Sequence, residues 1–402
     1  MYQHCWAILN IYMTPIITPK LIAIDTSILG KVAKDYYSKT QDRRKEALKF
    51  LSIIENRGLI PLFCMHHFQE LLQHENDSVS NNRLLLIKKF PQVAWVKSSS
   101  ADGLVGSIID VQGTEITKLI KKPNILIETL IAKIRAELIS YSSGESFINS
   151  IENELITLRK MNVFSTNKSK TVSSISHIRN LSIDNTKLSE LNRSQLKGPK
   201  EIKESMELMR KDYKQQLQKT GDRKLENIDE LTHQFLELVA KQGLKLYEPN
   251  RDSLYKNFIN SSGIEEHEIN ENWTIGELGD YAIFKEKINI ISRSYNFDVK
   301  KALKLPQNAI PSWFVWLELD KKTKEEKFAS GSNIIDKYLA SLAFYSDILI
   351  VDKRIDEYFR QILKKHKKYS FINKHIMKLS GYESFGRQLD TFNSKSKAQP
   401  VV

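Results

Sequence analysis

The sequence predicts an α/β protein, a parallel sheet flanked by helices and split by a large, mainly α-helical insertion. Two short apolar runs near opposite ends of the chain each close on an acid: Leu21 to Ile24 before Asp25, and Ile348 to Val351 before Asp352. Both are too short for helices and unbroken by polar residues, the pattern of parallel strands buried on both faces. A long central stretch instead carries apolar residues at helical spacing, so the two ends are expected to share one sheet.

The first 13 residues, MYQHCWAILNIYM, are apolar but lack a basic leading segment and a small-residue cleavage site, a poor match to a signal peptide. Met13 is an alternative start that would bring the first strand almost to the N-terminus. After that strand a helix is expected through Arg43 to Ile54, then a second strand, Leu59 to Phe63. The helix that follows, through His66 and Leu72, places Glu70 on one face and Phe68, Leu71 and Leu72 toward a core. These elements make a right-handed βαβα start.

Farther on, Ile116 to Ile139 and Ser146 to Lys160 keep three-and-four apolar spacing, and 162–197 is rich in Ser, Asn, Thr and Lys, as in a linker. Helical patterning resumes through Met206, Met209 and Tyr213 and then Leu231, Phe235, Leu238 and Val239, with dense charges of both signs. In the last third, Ile335, Leu339, Leu342 and Ala343 mark a helix with Ser332 or Asn333 as N-cap and Asp336 in its first turn. It leads into the strand ending at Asp352. The expected organisation is a first part of the sheet domain in 1–100, a helical insertion in 101–309 with a flexible segment near 162–197, a second part in 310–370, and a basic tail in 371–402.

In open α/β sheets ligands bind beyond the carboxyl ends of the strands. Asp25 and Asp352 would share that crevice if their strands are neighbours, and Glu70 and Asp336 would reach it from helices. Four unpaired acids this close repel one another and require a cation. Oxygen-only ligands suit Mg²⁺ or Mn²⁺. Such a site hydrolyses phosphodiesters through a metal-bound water and stabilises the leaving oxygen.

Four motifs, IDTSIL at 24–29, IPLFCMHHFQELL at 60–72, DKYLASLA at 336–343 and ILIVDKR at 348–354, occur in the order and local context of the PIN-domain nucleases. The chain resembles that family over about residues 20–97 and 310–370. The resemblance implies a small parallel sheet whose cleft of acids cuts single-stranded RNA or structured nucleic acid with Mg²⁺ or Mn²⁺. By motif, Asp25 is similar to the first acid of the family, with Thr26 or Ser27 as the hydroxyl beside it; Glu70 resembles the second, Asp336 the third and Asp352 the fourth. Asp356, one helical turn beyond Asp352, is expected to be a surface charge. The separation of Glu70 from Asp336 far exceeds the family's usual spacing and requires the insertion.

Charge points to a polyanionic partner. Of a formal net +13, the segment from Arg360 to Val402 contributes +8, with ten Lys or Arg against Glu383 and Asp390. Lys353, Arg354, Lys364, Lys365, Lys367 and Lys368 are the candidate nucleic-acid contacts. The run KKHKKY at 364–369 sets a tyrosine among cations, suited to phosphate contact and base stacking.

Other chemistries find little support. His66, Glu70 and His74 stand at helical spacing but lack the HEXXH pattern and a third strong ligand. There is no GXXXXGK[ST], GXGXXG or GXSXG sequence, and Ser27 stands where a haloacid-dehalogenase-like phosphatase needs its second Asp. Two cysteines, Cys5 and Cys64, are too few for a disulfide framework, which favours a reducing, cytoplasmic setting. No run approaches membrane-spanning length, so no membrane partner is expected.

The expected function is therefore a Mg²⁺- or Mn²⁺-dependent nuclease, RNA favoured over single-stranded DNA, of a kind that fits a bacterial toxin or phage-defence effector. A homo-oligomer or a regulatory protein partner is compatible with the chain. The alternative is a nucleic-acid-binding or scaffold protein that keeps the fold and has lost the metal.

Overall fold

A computed structural model of the chain describes residues 20–74, 76–99, 104–161, 185–191, 263–324 and 333–398, with isolated positions between 207 and 237. Cys5, Met13, most of the segment 162–197, and Met206, Met209, Tyr213, Leu231, Phe235, Leu238 and Val239 lie outside the described residues.

The strands are β1 (Lys20–Ala23), β2 (Leu59–Phe63), β3 (Val93–Val96), β4 (Ile139–Ser142), β5 (Ile348–Val351) and β6 (Ile376–Lys378). They form one sheet in the order β4-β3-β2-β1-β5-β6. All neighbours run parallel except β4, which is antiparallel to β3. The sheet grows outward from β1 in two directions, first to β2 and β3, later to β5 and β6. The join of β1 and β5 is thus a topological switch point, where the connecting helices diverge and leave a crevice.

Alternation along the strands divides the core. Leu21, Ala23, Ile60, Leu62, Ala94, Leu349 and Val351 face one layer, and Ile22, Ile24, Leu59, Phe63, Val93, Ile348 and Ile350 face the other. Each fully buried aliphatic side chain contributes about 1.5–3 kcal/mol by leaving water. The second layer holds α1 (Thr26–Tyr36), α2 (Gln41–Asn56), α3 (Met65–Leu71) and α4 (Asp77–Lys88), through residues such as Val32, Phe50, Phe68 and Leu86. The first layer holds α5 (Ile108–Lys121) and α6 (Ile127–Leu138), through Val111 and Ile134.

Several elements differ from the sequence expectation. The first strand spans Lys20–Ala23, and a whole helix, α1, follows it ahead of the expected one. The helix expected over Ile116 to Ile139 is two helices and a strand. Lys122 leaves helical geometry (φ −144°, ψ 83°) because Pro123 follows it, and Ile139 to Ser142 pair with β3. Ser146 to Lys160 falls within α7 (Gly144–Ser150) and a helix over 152–161.

The central helices α8 (Ile275–Tyr295) and α9 (Pro311–Lys324) pack onto the first layer. Phe284, Ile288, Trp313 and Phe314 share its core with α5 and with α10 (Asn333–Ala340). After β5 come α11 (Lys353–Lys365) and β6, then α12 (Phe385–Ala398), whose Phe385 and Leu389 are buried in the second layer. The segment set apart as a basic tail therefore supplies an edge strand and a core helix, and β4 extends the sheet domain past residue 100. Among the described residues no helix is long and apolar enough to cross a membrane.

Gly144 shows how close this packing is. Its N–H donates to the Phe90 carbonyl (3.0 Å), and a Cβ there would lie 2.1 Å from the Ile87 carbonyl oxygen. Backbone cannot yield as a side chain would. Gly144→Ala is expected to cost about 2 kcal/mol, seen as a lower urea midpoint with an unchanged slope.

Candidate functional site

The four expected acids reach the switch point from four elements. Asp25 follows β1 and is the N-cap of α1: its carboxylate accepts from the Ser27 amide (2.7 Å) and from the Ser27 hydroxyl. Asp352 follows β5 and caps α11 in the same way, accepting from the Ile355 amide (2.7 Å). In the sheet register Ala23 lies opposite Leu349, so the two caps emerge side by side at the carboxyl edge. Each carboxylate thus serves a helix N-terminus through one of its oxygens.

Glu70, on α3, accepts from the Thr26 hydroxyl, which ties it to the residue after Asp25. Of the two hydroxyls left open by the sequence, Thr26 therefore serves Glu70 and Ser27 serves Asp25. Asp336 projects from the first turn of α10, which packs on α3. The Arg354 guanidinium lies between Asp336 (3.1 Å) and Asp352 (3.9 Å).

The acids act on one another electrostatically. Burial pushes the Asp336 carboxyl up to about 7, and the charges of Glu70, Asp25 and Asp352 push the same way against Arg354. Burial also raises Glu70, reinforced by Asp25 and opposed by the Thr26 hydrogen bond and by Arg83. Arg83 was not singled out by sequence; it lies on α4, and its guanidinium donates to the Leu71 carbonyl (2.8 Å) near Glu70.

His67 is another residue that sequence reasoning passed over. It is fully buried, accepts from the Cys64 amide (3.1 Å) and is hydrogen-bonded to the backbone of Ile24, next to Asp25. Burial pushes it down to about 3, so it is a neutral clasp joining the ends of β1 and β2. Its neighbours His66 and His74 had drawn attention by their spacing, but they do not form a metal site with Glu70. His66 is buried, stacks on Tyr338 (4.5 Å between ring centroids) and bonds Gln69, while His74 accepts from the Asn76 amide. Burial also pushes the Cys64 thiol up to about 12, which makes it inert.

The helix carrying Asp336 is braced from the central region. Lys287 of α8 donates to the Tyr338 hydroxyl (2.6 Å) and lies over the rings of Tyr338 (4.4 Å) and Trp316 (4.6 Å). Burial and the nearby Lys337 lower its pKa to about 8.

The basic residues separate into groups. Lys353 is exposed beside Asp352, and Arg354 turns to the acids. Lys364, Lys365, Lys367 and Lys368 are exposed at the far end of α11, about 18 Å along the axis from Asp352. Tyr369 is not available for stacking on a base: it is 2% exposed, packed on Phe314 (4.2 Å between centroids), and its hydroxyl donates to the Asn308 carbonyl. Asp356 likewise departs from expectation. It is buried rather than a surface charge, and pairs with Arg360 (2.9 Å) because the inner face of α11 turns it away from solvent.

Among the described residues, no group of three or more His, Cys, Asp or Glu side chains is gathered closely enough to hold a metal ion as it stands. No protein-family model, no curated protein and no solved structure matches the chain.

Proposed function

We propose that the protein is a metal-dependent nuclease hydrolysing phosphodiester bonds of RNA, with single-stranded DNA as the second substrate. The supporting observation is the convergence of Asp25, Glu70, Asp336 and Asp352 at the β1–β5 switch point, where the other three acids oppose ionisation of Asp336. Burial is the largest cause that holds Asp336 near 7, and the other acids add to it against the single nearby guanidinium of Arg354.

The donor set fits a hard divalent cation, since all four ligands would be carboxylate oxygens. Bound there, Mg²⁺ or Mn²⁺ would supply an activated water and a Lewis acid for the leaving oxygen. The chain's own residues do the positioning. Ser27 orients Asp25 through its amide and its hydroxyl, Thr26 orients Glu70, and His67 fixes the backbone before Asp25. Arg354 pairs with Asp336 and approaches Asp352, and a divalent cation held by these carboxylates would compete with it for both of them. Such an activity in a chain of this kind fits a toxin or phage-defence effector.

The Arg354 contacts favour one second reading, a nucleic-acid-binding protein in which the arginine has replaced the metal. Incubating the protein with end-labelled single-stranded RNA in Mn²⁺ or in EDTA, with thermal melts under both conditions, separates the two. The nuclease cleaves only with Mn²⁺ and gains stability, about 2.7 kcal/mol at a hundred times Kd. Intact RNA and an unmoved melting temperature would reject the nuclease, and RNA binding by that uncleaving protein would establish the second reading.

A further inference from the structure

A second cationic feature, apart from the lysine-rich run, is a pocket. β6 is the outer strand of the sheet, and along its open edge, between α11 and α12, lies a cavity of about 680 Å³. Arg360, Lys374, Lys378 and Arg387 line it, and the single acid among its lining residues, Asp356, is paired with Arg360 (2.9 Å). All four cations are exposed, and among the described residues none of Lys374, Lys378 and Arg387 is held in an ion pair. Phe392 of α12 contributes a half-buried ring to the wall.

The pocket is placed to serve the acids. Lys378 pairs with Val351 in the sheet register, one residue before Asp352. Arg360 lies on the helix that Asp352 caps, about 12 Å along its axis. Cations that neutralise phosphates, combined with an aromatic face, are how sequence-tolerant proteins hold single strands. The volume is that of a small-molecule site, enough for a nucleotide unit.

We propose that the cavity between α11 and α12 binds one nucleotide unit of a single-stranded nucleic acid, its phosphates against Arg360, Lys374, Lys378 and Arg387 and its base against Phe392. The inference deepens the nuclease proposal and rests on it for the direction of the strand, which runs from this pocket along the edge of β6 to the carboxylates. It also reassigns affinity from Lys364, Lys365, Lys367 and Lys368 to residues on β6 and on either side of it.

The test measures binding without cleavage: fluorescence anisotropy of a labelled oligoribonucleotide of about 12 nucleotides, in EDTA, across a salt series. Replacing Lys374, Lys378 and Arg387 together by Ala is expected to weaken binding about tenfold or more and to lower the salt slope by roughly 2, since each single-strand phosphate contact contributes ~0.7. Phe392→Ala should weaken binding with the salt slope unchanged. The triple variant Lys364→Ala, Lys365→Ala and Lys367→Ala is expected to bind nearly as the parent does. Far-UV circular dichroism and melting of each variant confirm folding, and the single Lys374→Gln variant, at an exposed position, repeats the measurement with the least disturbance. Equal losses in both triple variants, no RNA binding by the parent, or polyglutamate competing as well as RNA would overturn the proposal. Pocket-dependent binding by a parent that does not cleave in Mn²⁺ would sustain it and reject the nuclease; Mn²⁺ cleavage with binding indifferent to the pocket would do the reverse.

Discussion

Asp336→Asn is expected to abolish Mn²⁺-dependent cleavage while making the metal-free protein more stable. Asparagine keeps the size of the side chain and removes the charge that Glu70, Asp25 and Asp352 oppose. Losing one charged ligand from a site that works by electrostatic stabilisation should lower kcat/KM by about a thousandfold. The stability change follows from linkage. The carboxyl titrates near 7 in the folded protein and near 3.9 in an unfolded chain. Its favourable contribution is therefore complete below the unfolded value and is lost as pH rises through 7. At pH 8 without metal the ionised side chain costs on the order of 3–4 kcal/mol, a cost that Asn removes. Chemical denaturation in EDTA from pH 4 to pH 8 should show a midpoint that falls in the parent and stays flatter in the variant, with Mn²⁺ restoring stability only to the parent. A variant less stable than the parent at pH 8, with the same pH dependence, would show that Asp336 is not the charge under strain.

The strand-end positions of Asp25 and Asp352 were the most legible part of the chain. A strand ending in an acid leaves a compact local signature, and Asp25 and Asp352 each use that acid to cap the helix that follows. Both strand and cap are written in adjacent residues. The same locality makes Asp336 readable in the first turn of its helix. Elements that depend on remote partners were not readable. β4 continues the helical spacing of α6 through Leu138 and Ile139, and only pairing with β3 turns it into a strand. β6 has three residues and owes its existence to β5. In the site, His67 and Arg83 were silent because their roles, a bond to the backbone at Ile24 and a charge near Glu70, are set by contacts between separate elements. Charge density in the sequence says nothing of where the charge lies in the fold. KKHKKY is the densest basic run, but α11 carries it to the end away from the acids, whereas the pocket draws Arg360, Lys374, Lys378 and Arg387 from four elements.

The second large effect is expected at Glu115, which touches none of the acids. It is 0% exposed on α5, and its carboxyl accepts from the Ser312 amide (3.0 Å), the Ser312 hydroxyl (2.5 Å) and the Tyr345 hydroxyl. Burial pushes its pKa up to about 7, against those three donors. Glu115→Ala would leave the donors buried without an acceptor and open a cavity, at a cost of about 3–5 kcal/mol. Glu115→Gln keeps one carbonyl acceptor and should cost about 1–2 kcal/mol. The sign with pH matches that at Asp336: the raised value favours the folded state below the unfolded carboxyl range near 4.3 and loses that contribution as pH rises through 7. Glu115→Gln should therefore flatten the dependence in that window even as it lowers stability overall. Position gives the residue a functional reach. Ser312 accepts from the hydroxyl of Ser341 (3.1 Å), just past the helix of Asp336, and Tyr345 stands shortly before the strand that ends at Asp352. Loosening this buried junction frees both acids from the frame that aims them together, so Glu115→Ala should lower Mn²⁺-dependent cleavage with all four carboxylates still present. Full cleavage by a destabilised Glu115→Ala protein would place the alignment of Asp336 and Asp352 entirely in their local contacts with α3, Arg354 and the α11 N-terminus.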